Sequence, residues 1–119
     1  MKKIQAILID PFTETLSYVL VQEHNLQDYY DIMQCTCFDI VRLGGGVIMF
    51  LDDEGVLKEN RYFKLGSANF AGRSIVANET EDGGTTDCQV TIEQVSENLV
   101  WLPKGHKENP LRFVQLARR

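Results

Sequence analysis

Val47-Ile48-Met49-Phe50-Leu51, closed by Asp52-Asp53-Glu54-Gly55, is an unbroken apolar run ended by three carboxylates and a glycine. A run this short, with no polar residue alternating through it, reads as a strand buried on both faces and therefore central in its sheet. The three acids and Gly55 read as a tight turn, with glycine supplying a positive φ. Upstream, Gly44-Gly45-Gly46 separates this run from residues 38–43, which are rich in strand formers. The simplest arrangement is two strands joined by a glycine turn.

The pattern extends outward on both sides. Ile4, Ala6 and Leu8 interleave with Gln5, Ile7 and Ile9, which predicts a largely buried strand. Asp10-Pro11 marks a turn, and residues 15–22 alternate again, so the pair reads as a hairpin. Asn25 is a helix N-cap candidate with Asp28 in the first turn. Leu26, Tyr29, Tyr30 and Met33 fall on one helical face. Downstream, Val56-Leu57 and residues 62–65 are weaker strand signals, residues 66–72 read as a loop, and residues 74–78 as another short strand. Residues 79–88 are acidic and contain glycine, as in an exposed hairpin end or a mobile loop. Thr91 and Gln94 make a capping box. Ile92, Val95, Leu99 and Leu102 then line one helical face that Pro103 terminates. The expected fold class is α+β, a mostly antiparallel sheet with two helices packed on one face. It forms one domain over residues 1–103, with a basic tail at 104–119. Within that tail, residues 110–119 read equally as a short helix, a strand or a segment that orders on a partner.

Length and composition agree with this outline. The 119 residues suit a single domain, and 44% apolar content supports a core without covalent staples. No apolar run approaches the length needed to cross a bilayer, and Met1-Lys2-Lys3-Ile4 opens no secretory pattern. Cys35, Cys37 and Cys88 make an odd set with no zinc-like spacing, as expected of a reducing compartment. A cytoplasmic location and the absence of metal and cofactor are the corresponding expectations. The net charge of −5 argues against binding driven by nucleic-acid phosphates. That charge is uneven, because residues 14–54 hold eight acids against Arg42 as the only base.

Three patterns suggest chemistry. Asp52-Asp53-Glu54 is the densest carboxylate cluster, but it lacks the alternating spacing of a calcium loop. A metal-dependent hydrolase would need Asp10 or Asp39 brought to it by the fold. Cys35, Cys37 or Cys88 would need a base such as His24 or His106 beside it to serve as a nucleophile. The third pattern pairs arginines with glycine loops: Arg42 beside Gly44, Gly45 and Gly46, and Arg73 after Gly72. Arginine presents a planar fork of donors, and glycine lets backbone N–H groups approach the same anion. Arg42, Gly44, Gly45, Gly46 and Arg73 are therefore the expected ligand-binding residues, for a small anionic ligand. The competing assignment for Arg42 is a surface pair with a nearby acid such as Asp39.

Several segments also resemble a known family. Ala6-Ile7-Leu8-Ile9-Asp10-Pro11-Phe12, Phe38-Asp39-Ile40-Val41-Arg42-Leu43 with its following glycines, Asp52-Asp53-Glu54-Gly55-Val56-Leu57-Lys58 and Ala71-Gly72-Arg73-Ser74-Ile75-Val76 occur in that order. Together they resemble small uncharacterised proteins of phages, plasmids and other bacterial mobile elements, over roughly residues 4–78. The resemblance implies an accessory protein in a bacterial host and implies no catalytic residue. The function expected is binding without catalysis, either blocking a host protein or sequestering a small signalling ligand to counter host defence. The rivals are an acidic DNA mimic that inhibits a DNA-binding enzyme, and a small phosphoester or nucleotide hydrolase. A homodimer is expected, with Leu111, Phe113, Val114 and Leu116 offering an apolar tail face.

Overall fold

The computed structural model describes residues 2–55 and 60–107. Among the described residues eleven elements follow in order. They are β1 (Lys3–Asp10), β2 (Thr15–Gln22), α1 (Leu26–Met33), β3 (Phe38–Gly44), β4 (Val47–Asp52), β5 (Tyr62–Leu65), β6 (Ala68–Ala71), β7 (Ser74–Glu79), β8 (Thr85–Thr86), α2 (Ile92–Glu97) and β9 (Leu99–Trp101). The large sheet runs β2-β1-β7-β4-β3, with β8 added to β7; the small sheet runs β6-β5-β9. Every pairing is antiparallel. The α+β class is as expected, and β4 takes the inner position its apolar run implies.

Strand alternation builds two cores on the two faces of the large sheet. Ile4 and Ala6 of β1, Ile48 and Phe50 of β4, and Ile75 and Ala77 of β7 pack on one side against Tyr29 and Met33 of α1. Tyr29 lies 4.5 Å from Phe50 between ring centroids, and Phe38 meets Phe50 edge-on at 5.3 Å. Ile7, Ile9, Met49, Leu51 and Val76 face the other way, against Phe63 and Phe70 of the small sheet and Val95 of α2. The two helices therefore sit on opposite faces, which corrects the expectation of a shared one. Period 2 in β1, β4 and β7 is apolar on both faces, so each face needs its own cover.

Two further expectations change. The helix predicted to run to Pro103 stops at Glu97, where Asn98 donates to the Val95 carbonyl. Leu99–Trp101 instead pairs with β5. The capping box starts the helix as predicted, with Thr91 accepting from the Gln94 amide and Gln94 returning the bond. However, Leu99-Val100-Trp101 is rich in strand formers, and the open edge of β5 competes for it. Residues 66–72 are likewise not all loop, because Ala68–Ala71 pairs with β5 around a Gly66-Ser67 turn. Gly55 does not take a positive φ. It is needed for room: a Cβ there would sit 3.1 Å from the Ala71 carbonyl oxygen. Val56-Leu57 and the apolar tail face fall outside the described residues. Residues 104–107 fold back on the small sheet, where Leu102 donates to the Tyr62 carbonyl and the His106 ring meets Tyr62 at 5.1 Å. Among the described residues no helix is long and apolar enough to cross a membrane.

Candidate functional site

The glycine turn builds one side of a cleft. β3 and β4 register normally up to Arg42 opposite Ile48, and then Gly44 opposes Val47, so Leu43 is an extra residue. Such a bulge bends its strand and redirects a side chain. Gly45 and Gly46 both have positive φ, as a two-residue hairpin turn of matching twist requires. Leu43, 39% exposed, then faces a concavity of about 690 Å³ shared with Val41, Gly44 and Val47. The opposite wall is the β5–β6 turn at Leu65, Gly66 and Ala68. The end is closed by Gln94, Glu97 and Asn98 around α2. The floor is Val76, Phe70 and Val95, the margin of the second core.

Arg42 stands on the rim of this cleft, but its fork is engaged. Nε lies 3.1 Å from Glu79 Oε2 and Nη2 2.9 Å from Oε1, a bidentate pair. The hydrogen bond to Glu79, reinforced by its charge, raises the guanidinium pKa further. The partner is thus Glu79, not Asp39, whose Oδ1 accepts from the amide of Ile40. The pair leaves the Nη1 donors of Arg42 outside the fork.

Arg73 is elsewhere. It precedes β7, whereas Glu79 ends it. At about 3.3 Å per residue the two ends are roughly 17 Å apart. Its Nε is 3.3 Å from Asp10 Oδ2, its Nη1 is 3.0 Å from Gln34 Oε1, and its guanidinium lies 4.6 Å from the Phe12 ring centroid. The structure therefore brings Arg42 and Gly44 together at the cleft, places Gly45 and Gly46 in the turn beside it, and separates Arg73 from all of them. Sequence spacing alone carried no sign of Glu79, which comes from a strand inserted between hairpins.

The carboxylate cluster also divides. Asp52 is buried and its Oδ1 accepts from the Glu54 amide, so it shapes the turn. Asp53 and Glu54 are exposed and come within 4.8 Å of Cys37, the only such trio of His, Cys, Asp or Glu among the described residues. Neither Asp10 nor Asp39 joins it.

The profile of a family described as Domain of unknown function (DUF3846) matches residues 1–100. The chain belongs to the DUF3846 family. No curated protein and no solved structure matches it. The segments that carried the resemblance, at residues 4–78, lie inside the DUF3846 match, as do the cleft and both arginines. Residues 101–119 lie beyond it.

The three thiols of this DUF3846 domain differ in access. Cys35 is buried, Cys37 exposed and Cys88 half-buried. Burial pushes the Cys88 thiol above its usual range, only partly offset by a backbone hydrogen bond at Val90. A raised pKa means less thiolate and slower alkylation at neutral pH. Iodoacetamide followed by peptide mass spectrometry is expected to label Cys37 first, with Cys88 and Cys35 well behind. Labelling of Cys88 ahead of Cys37 would contradict the structure.

Proposed function

We propose that this DUF3846 chain acts by binding, without turnover, and that the cleft beside the Arg42–Gly44 bulge receives a compact, partly apolar ligand. One observation carries the reading: a concavity of about 690 Å³ with an apolar floor and a few polar groups on its rim. Small-molecule sites fall in the range of about 300–1,000 Å³ and have this character. The charges are few, one base (Arg42) against two acids (Glu79 and Glu97), so shape and apolar contact dominate selection. One anionic group can still meet Arg42 Nη1. In the bacterial mobile-element setting that the sequence resemblance implies, such a domain serves in the cytoplasm as a sink for a small signalling ligand or as a blocker of a host protein. The DNA-mimic alternative has less support. Glu14 pairs with Arg61, and Asp28, Asp39 and Asp52 accept backbone N–H groups, so much of the acidic segment serves the fold itself.

Ala68 is exposed on the cleft wall, so Ala68→Trp fills the space without touching the core. In a thermal-shift screen of cyclic nucleotides and short amphipathic carboxylates, a ligand at about 100 times its dissociation constant adds about 2.7 kcal/mol of apparent stability. Ala68→Trp should abolish that gain and leave the unliganded melt in place, and Arg42→Ala should reduce it. A screen with no shift overturns the small-ligand reading. Consumption of any compound with turnover overturns binding without catalysis.

Self-association belongs to the same proposal. β2 and β3 are the outer strands of the large sheet, with Tyr18 and Leu20 exposed on one and Ile40 and Leu43 on the other. Outer strands that are neither short nor heavily charged favour pairing. Light scattering at about 100 μM is expected to give the mass of a dimer, and a clean monomer would refute it.

A further inference from the structure

A second concavity, of about 400 Å³, lies at the far end of β5 from the cleft. The β1–β2 turn, the start of β5 and the segment after β9 enclose it. Arg61, Lys104 and Lys107 bring three cations to its lining, in a chain whose net charge is −5. The carboxylate paired there is Glu14, with Oε2 3.2 Å from Arg61 Nη2. Among the described residues, one carboxylate against three cations leaves a positive pocket on an acidic protein. The Arg61 side chain is 21% exposed, and its Nε is buried with no hydrogen-bond partner among the described residues. A buried donor without an acceptor is costly, so the guanidinium gains from a negative charge placed beside it. Gly105, at φ 92, lets the chain turn between the two lysines. The rest of the lining is Asn60, His106 and Phe12, whose ring stays 43% exposed although the Arg73 guanidinium stacks on it.

We propose that this pocket binds a nucleoside monophosphate, with Arg61, Lys104 and Lys107 on the phosphate and the base against Phe12. Three cations from two separate segments match a compact, multiply charged anion better than a single carboxylate. The exposed aromatic ring gives a planar group something to stack on. The volume lies within the usual range of small-molecule sites, about 300–1,000 Å³. The negative charge of the rest of the chain opposes a long polyanion, which selects a short ligand over nucleic acid. The site shares no residue with the Arg42 cleft and stands independently of it.

The test is amide chemical-shift titration of the full chain with AMP, UMP, adenosine and inorganic phosphate. AMP and UMP should move the amides of Phe12, Arg61 and residues 104–107, in the wild type and in Ala68→Trp alike. Replacing both exposed lysines, as Lys104→Ala with Lys107→Ala, should weaken AMP by about tenfold or more, with the melt unchanged. Phe12→Ala should weaken AMP more than inorganic phosphate. The proposal is overturned if neither nucleotide titrates by about 10 mM, if adenosine binds as tightly as AMP, if the lysine variant binds equally well, or if the shifts map to the cleft.

Discussion

Phe63→Ala is expected to cost about 3–5 kcal/mol of folding stability, the largest loss of any single truncation among the described residues. Phe63 is fully buried on the middle strand of the small sheet, with ring centroids 5.7 Å from Phe70 and 6.4 Å from Trp101. It packs in the same core as Ile7, Met49 and Val76 of the large sheet, so it joins the two layers. Removing its ring loses apolar transfer energy and leaves a cavity that strands paired on both sides cannot close. Against a typical total of about 5–15 kcal/mol, a loss of this size consumes much of the native stability. Urea unfolding should show it as a lower midpoint. Leu20→Ala is the control, since Leu20 is 60% exposed and its loss should fall within about 0.5 kcal/mol. A cost below about 1 kcal/mol for Phe63→Ala would mean that the small sheet is not packed on the large one.

Local signals in the sequence were sufficient where one strand or helix answers to one pattern. The β1–β2 hairpin, α1 with its Asn25 cap, β4 and the Thr91 capping box all follow from period, cap and turn chemistry. The failures share a cause, which is competition from partners remote in the chain. Leu99 and Leu102 fit a helical face, yet β5 offered hydrogen bonds along its open edge, and Leu99–Trp101 took them. Gly66 and Gly72 suggested one loop, but the four residues Ala68–Ala71 between them form a strand. The candidate site was half legible for the same reason. Arg42 and Gly44 are neighbours in sequence and reach the cleft together. Glu79, which holds Arg42, and Asp10, which holds Arg73, lie 37 and 63 residues away from their partners.

Asp10→Ala is expected to destabilise the fold by about 2–4 kcal/mol, out of proportion to the size of the side chain. Asp10 ends β1 with its side chain only 13% exposed. One carboxylate oxygen accepts from the amides of Phe12 and Thr13, at 2.9 and 3.4 Å, and forms the turn into β2. The other accepts from Arg73 Nε just before β7, and Arg73 continues to Gln34 at the end of α1. Truncation leaves a guanidinium that is 23% exposed without its counter-charge, the costly way to break such a pair. Asp10→Asn retains an acceptor for the turn and removes the charge, so it should cost about half as much. The difference between the two variants in urea separates the turn from the ion pair. An Asp10→Ala loss within about 0.5 kcal/mol would show that water replaces both roles.

The strand order β2-β1-β7-β4-β3 has a consequence for the order of events during synthesis. β1 with β2, and β3 with β4, are local hairpins that need only their own residues. Neither touches the other in the sheet, because β7 lies between them and pairs with β1 on one side and β4 on the other. β7 is Ser74–Glu79, so the two hairpins of the large sheet, with the β5–β6 hairpin already made, stay separate until those residues clear the ribosome. In that interval Ile7, Ile9, Met49 and Leu51 lack the part of their cover that comes later in the chain, Val95 of α2 and Trp101 of β9. Closure by a late, distant strand is the slow kind of contact. A pause in translation before residue 79 would therefore prolong the exposure of sticky strand edges and apolar faces, and a chain broken there cannot close its sheet.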